Sequence, residues 1–233
     1  GPVCLVPAEE ERRAQAPVVA PDRSFVAFVR DQAEVCIVPL DGGAVERLDD
    51  GAFAFCLDPT VAPDAAAVAY QAWSPPDMPW DGAVIVSVEV ATRERSVRAR
   101  DDAAFQQPRF APDGTLVTVA DGSGWLNVWW GDQPVIDGGE PFEHAEPTWG
   151  AGQASFAIAP TGDRVAIARN ERGFGRLIVV DVASGEAVAV ARGVHGALSW
   201  RGRRVAALRT GARTPTEVVV YEDSSWERTA VAV

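Results

Sequence analysis

The sequence predicts an all-β chain, a β-propeller of four-stranded antiparallel blades. Three observations predict it: a turn motif that recurs at blade spacing, apolar residues alternating with period two between the turns, and no convincing helical period. The motif is Ala20-Pro21-Asp22, then Ala62-Pro63-Asp64, Ala111-Pro112-Asp113 and Ala159-Pro160-Thr161. Its prolines lie 42, 49 and 48 residues apart, longer than leucine-rich or ankyrin repeats and right for propeller blades.

Residues 105–130, FQQPRFAPDGTLVTVADGSGWLNVWW, show the unit most plainly. An apolar run ends at Ala111-Pro112-Asp113-Gly114, where proline presets φ and glycine supplies the left-handed residue. Residues 116–120 alternate as a second strand, Asp121-Gly122-Ser123-Gly124 turns the chain, and residues 125–130 make an aromatic third strand.

Taken in order, residues 1–15 read as half a blade, because Val3-Cys4-Leu5-Val6-Pro7 recurs as Val35-Cys36-Ile37-Val38-Pro39. Blades are expected over 16–50, 53–100, 103–137, 153–192 and 194–233. The second carries an insertion, residues 74–82, between its middle strands, and a longer connection precedes the fourth. Each blade buries its faces against its neighbours, so five and a half units leave a ring open. The chain is therefore expected to be a fragment of a larger ring, and its Gly-Pro start without Met fits a cleaved tag.

The net charge of −12 argues against nucleic acid and anionic membrane as partners. No apolar run is long enough to cross a bilayer, and no signal peptide is evident. Cys4, Cys36 and Cys56 include no CxxC, which fits a reducing, cytoplasmic setting. The two histidines, His144 and His195, are too few for a His-based metal site and read as loop or turn residues. Neither metal nor cofactor is expected.

Longer runs carry a family resemblance that covers nearly the whole chain. Residues 58–82 with Met78-Pro79-Trp80-Asp81-Gly82, the blade 105–130, and Pro147-Thr148-Trp149-Gly150 resemble the propeller domain of the prolyl oligopeptidase (S9) serine peptidases. The likeness is to their dipeptidyl aminopeptidase/acylaminoacyl peptidase branch, although Asp77 stands where Asn is usual. The resemblance implies a substrate-gating domain beside an α/β-hydrolase peptidase domain, with peptide substrates. No G-x-S-x-G elbow exists here, since Gly122-Ser123-Gly124 lacks the spacing. No catalytic residue carries over, and the chain alone is expected to be inactive as an enzyme. The other function class is a free-standing TolB-like propeller that binds a protein or ligand.

The candidate site is the insertion, with Asp77, Met78, Trp80 and Asp81 facing substrate or the hydrolase domain. It exceeds the length of a hairpin turn, exposes apolar surface, is stiffened by Pro75, Pro76 and Pro79, and carries charge suited to a cationic peptide N-terminus. The plain alternative is that Trp80 covers the edge of its own blade. Trp125, Trp129 and Trp130 read as filling between blades, and Arg109 and residues 143–146 as solvated rim charges.

Overall fold

A computed structural model describes residues 4–6, 12–136 and 141–232. They form five antiparallel sheets in chain order. The first is β1 (Ala14–Val19), β2 (Phe25–Arg30), β3 (Glu34–Pro39) and β4 (Glu46–Arg47). The second is β5 (Phe55–Val61), β6 (Ala67–Trp73), β7 (Val84–Glu89) and β8 (Arg95–Arg98). The third is β9 (Phe105–Phe110), β10 (Leu116–Ala120), β11 (Asn127–Trp130) and β12 (Gln133–Pro134). In the fourth, β13 (Phe142–Glu143) and β14 (Phe156–Ile158) both pair with β15 (Arg164–Glu171), followed by β16 (Phe174–Asp181) and β17 (Ala187–Arg192). The fifth is β18 (Val194–Arg201), β19 (Arg204–Gly211), β20 (Thr214–Glu222) and β21 (Arg228–Ala232). This is the all-β, blade-type architecture that the repeat predicts.

The repeated turn joins β1 to β2, β5 to β6, β9 to β10 and β14 to β15 by the same bonds. Ala20 N–H bonds Phe25 O at 2.9 Å while Arg23 N–H bonds Ala20 O at 2.8 Å. Ala62 with Ala67 and Ala65, Ala111 with Thr115 and Gly114, and Ala159 with Arg164 and Gly162 repeat the pair. The motif aspartates accept from the backbone two residues on, Asp22 from Ser24 and Asp113 from Thr115, both at 2.9 Å, which is why Asp suits that place. The left-handed residue is Gly114 and Gly162 in two turns, but Arg23 (φ 64°) and Ala65 (φ 60°) in the others.

A second repeat lies in the first strands. Ala16, Asp58, Gln107 and Ala197 all take φ near +50°. Register shifts mark three of them as β-bulges, between Gln15 and Val18, Leu57 and Thr60, and Gly196 and Ser199. The first three precede proline, which has no N–H to give the ladder and so suits a bulge.

By contacts the chain divides into two compact units. One runs to Thr118 and takes in Thr148–Gly152; the other holds the remainder. The core of the first joins Phe25, Ala27 and Val29 to Val68, Tyr70 and Val86. That of the second joins Ala166, Leu177 and Val179 to Trp200, Val205 and Tyr221.

Several local expectations change. Ala14 and Gln15 already belong to β1, and Cys4–Val6 takes no strand conformation, unlike its echo in β3. Leu5 and Val6 instead pack on Val26, Phe28, Cys36 and Val38; Val3 and Pro7 lie outside the described residues. The insertion holds one short helical turn, α1 (Pro79–Gly82). Trp125 is exposed, and Trp129 and Trp130 are half-buried. Trp125 therefore does not fill the space between blades.

Candidate functional site

The insertion rises from a fixed stem. Phe55 and Trp73, directly paired across β5 and β6, stack with centroids 5.2 Å apart, and Ser74 Oγ accepts the Ala54 N–H at 3.0 Å. After a cis Pro75–Pro76 bond the chain enters α1 with Pro79 at its start, where a missing N–H costs nothing. Asp81 closes the turn by accepting the Met78 N–H at 3.2 Å. Asp77 lies over Gly82: a Cβ there would stand 2.8 Å from Asp77 Oδ2. The backbone returns to the sheet where Ala83 O accepts the Phe105 N–H at 2.8 Å.

The structure thus separates the four predicted site residues. Asp77 and Asp81 are exposed, and the Asp81 carboxylate serves its own loop. Met78 is 47% exposed. Trp80 is half-buried and meets Trp149, whose centroid is 4.9 Å away at an interplanar angle of 53°. Trp149 is 74% exposed, so the outward feature of the site is a tilted indole pair with Met78 on the same short loop as one of its rings.

Trp149 arrives from a distant part of the chain. In the fourth sheet Glu143 pairs with Asn170 and Phe156 with Ile167, so residues 144–155 leave at the place where other first strands carry their bulge. The tip, Thr148–Gly152, belongs to the first unit and is pinned there by buried polar groups. Thr148 Oγ1 donates to Gln106 Oε1 at 2.6 Å and accepts from Gln71 Nε2 at 3.2 Å. All three residues are buried. Asp58 Oδ1 accepts the Gly152 N–H at 2.6 Å, and Gly152 has φ 86°, a conformation that favours glycine. Burial raises the Asp58 pKa against this bond and the nearby positive charge of Arg109; burial lowers the pKa of half-buried Arg109. Arg109 is therefore no solvated rim charge: a buried carboxylate stands close by, because an unpaired buried charge is costly.

A similar correction applies to Glu143 and to the burial of the histidines, whereas Glu146 is exposed. Glu143 is half-buried, accepts the Leu126 N–H at 2.8 Å, and has its pKa raised by burial. Both histidines are buried: His144 lies in a bend just after β13, as a loop residue would, while His195 lies within β18. His144 Nδ1 meets Leu126 O at 3.3 Å; His195 meets Gly193 O at 2.9 Å and Tyr221 Oη at 2.8 Å. Burial pushes both imidazoles down to about 4. Neither hydrogen-bonds a serine, and Ser123 Oγ in its exposed turn donates to Trp125 O. Among the described residues no group of three His, Cys, Asp or Glu could hold a metal, and no helix is long and apolar enough to cross a membrane.

The geometry offers exposed aromatic surface on a stiff support, with Met78 and two carboxylates on the same loop. Asp58, Gln71, Gln106 and Thr148 were not singled out by sequence reasoning. One signal was there: Pro17, Pro59 and Pro108 each stand four residues before a motif proline, which marks the bulge at Asp58.

No protein-family model matches the chain, and no curated protein does. Solved structures do. Puromycin hydrolase aligns at 26% identity and TM-score 0.86 over 100% of this chain and 40% of its own. A Mycobacterium tuberculosis puromycin-hydrolyzing peptidase aligns at 25% and 0.83, over 94% and 37%. TolB from Acinetobacter baumannii, at 14% identity and TM-score 0.67 over 95% and 54%, shares the fold. This chain spans about two fifths of the length of the two hydrolases. Along its whole length it is similar to the β-propeller part of S9-family serine peptidases, to which puromycin hydrolase belongs.

Proposed function

We propose that this chain is the non-catalytic, substrate-gating propeller of an S9-type serine peptidase of the dipeptidyl aminopeptidase/acylaminoacyl peptidase branch. Its partner is an α/β-hydrolase domain outside these 233 residues, and its substrates are peptides and related amides in a reducing, cytoplasmic setting. The observation that carries this reading is full coverage of the chain by two fifths of a puromycin hydrolase at 26% identity. The likeness to TolB is one of fold and does not favour the free-standing binding module.

Within that reading, the Trp80–Trp149 pair with Met78 faces substrate or the hydrolase domain. Exposed tryptophans on a rigid support lose little entropy on contact and bury much area. The Asp81 carboxylate is secondary, since it already closes its own loop.

The test uses the intact peptidase, with Trp149→Ala and Trp80→Ala assayed on aminoacyl and acyl-peptide chromogenic amides and on puromycin, melting temperature measured in parallel. Trp149→Ala is expected to lower kcat/KM with little change in melting temperature. Unchanged kcat/KM with a large loss of melting temperature would make the loop structural. A full-length polypeptide without amide hydrolysis would return the chain to the binding-module reading.

A further inference from the structure

The fourth sheet sets three arginines side by side. Arg169 of β15 stands directly opposite Arg176 of β16, and Arg176 opposite Arg192 at the end of β17. Residues paired in this way across antiparallel strands share one face of the sheet, and like charges placed so destabilise it. A fold keeps such a row at a cost, which makes the row a candidate for function. Glu171, two residues beyond Arg169 on the same face, is the carboxylate that meets it. One of its oxygens pairs with Arg169 and the other lies 3.3 Å from Arg176 Nε. Among the described residues neither exposed Arg192 nor Arg172, in the exposed turn between β15 and β16, has a carboxylate partner.

The surplus is local. The chain carries a net charge of −12, yet residues 187–216 hold six arginines and no acidic residue. On the fifth sheet Arg209 and Arg228 divide a single carboxylate, Glu217, at 2.7 and 2.5 Å. Arg209 Nε also donates to Arg192 O at 3.2 Å, which brings this second surplus to the end of the row. The guanidinium groups are held in place. Arg169 lies over the Phe142 ring, 4.8 Å from its centroid, and its Nε is buried without a hydrogen-bond partner among the described residues. Arg176 Nη1 donates to Gly175 O at 3.1 Å. Planar forks fixed in this way match a carboxylate through two parallel bonds. Phe174, opposite Glu171 and so on the same face, is 68% exposed, an apolar ring at the edge of a cationic row.

We propose that the Arg169–Arg176–Arg192 row, with Arg172 and Phe174 at the adjoining turn, binds a peptide segment that carries carboxylates beside an apolar side chain. The arginines take the carboxylates and the phenyl ring takes the apolar side chain. Free phosphate offers the arginines the same oxyanion chemistry but has no use for Phe174, and a long polyanion would meet the negative charge of the rest of the chain. That the peptide is a substrate rests on the peptidase reading; the binding site does not, and it is tested without catalysis.

Fluorescence anisotropy with the 233-residue chain tests it, using dansyl-Gly-Leu-Glu-Glu as probe and dansyl-Gly-Leu-Gln-Gln-amide, which lacks carboxylates, as its counterpart. The acidic probe is expected to bind at least about tenfold more tightly than the amide, the equivalent of one charge-assisted hydrogen bond. Arg192→Glu should weaken it by a similar factor. Arg201→Glu, the same change of charge at the far end of β18, should leave Kd within about twofold, because salt screens charge over that distance. Both residues are exposed, so the melting temperatures of the two variants should match that of the parent. Phe174→Ala should weaken the acidic probe about threefold to tenfold, through the lost contact with its leucine. Equal binding of the two probes overturns the proposal. So does an equal loss in Arg192→Glu and Arg201→Glu, which would reduce the effect to bulk charge. Inorganic phosphate that displaces the probe as effectively as unlabelled Gly-Leu-Glu-Glu also overturns it, since the ligand would then be a free anion. None of these outcomes bears on amide hydrolysis by the intact peptidase, so this site and the proposed function fail separately.

Discussion

Two buried histidines tie this protein's stability to pH. The ordinary imidazole pKa is 6.5, and burial holds His144 and His195 at about 4. Between those values the unfolded chain binds protons that the folded chain refuses. The stability they confer is complete above pH 6.5, falls as pH drops toward 4, and levels off below that. Each site contributes on the order of 3 kcal/mol to the loss. Urea unfolding at pH 7.5, 5.5 and 4 should show the slope, and His195→Gln should remove about half of it. A pH-independent midpoint over that range would contradict the buried neutral rings. Thr148 matters at the same scale for another reason. Thr148→Val removes the shared partner of buried Gln71 and Gln106 and should cost about 1–3 kcal/mol, whereas Thr148→Ser retains the hydroxyl and should stay close to the parent in thermal melts.

At the scale of elements, the repeated turn is used with and without its best residue. Gly114 and Gly162 occupy left-handed positions at little cost, while Arg23 at φ 64° does so with a side chain. Arg23 is exposed and its turn keeps both backbone bonds. Arg23→Gly is therefore expected to stabilise by up to about 1 kcal/mol, seen as roughly 2–4 °C in melting temperature. A drop would mean that the arginine side chain contributes more than its backbone conformation costs. The bulge is the other repeated device. In the fourth sheet its place is taken by residues 144–155, whose tip carries Trp149. Asp58→Ala removes the acceptor of the Gly152 N–H and should make that loop the first site of limited proteolysis, while Asp58→Asn, which keeps an acceptor oxygen and tolerates a positive φ, should not. Identical digestion of all three proteins would show that Thr148 alone pins the tip.

For the whole molecule, the expectations concern class and competence. Far-UV circular dichroism should show a β-rich spectrum, since α1 is the single helix among the described residues. Residues 1–233 should not be labelled by a fluorophosphonate serine probe, because a serine nucleophile needs a base within hydrogen-bond reach and both histidines are engaged with or buried among other groups. Labelling of any serine would overturn this.

The sequence by itself determined the strands, the turns and the blade class, because period-two alternation and Ala-Pro-Asp turns are local and act wherever they occur. It also marked 74–82 as the unusual loop and Trp80 within it. Tertiary structure alone decided that Trp80 meets Trp149, that Thr148 bridges Gln71 and Gln106, and that Asp58 holds Gly152 with Arg109 close by. Those partners stand 42 to 94 residues apart, and a single polar residue in a strand reads alike whether it faces water or a buried hydroxyl. The same limit misplaced His195 and Arg109. Polarity predicts exposure on average, and only packing shows which polar side chains were taken inside and what met them there.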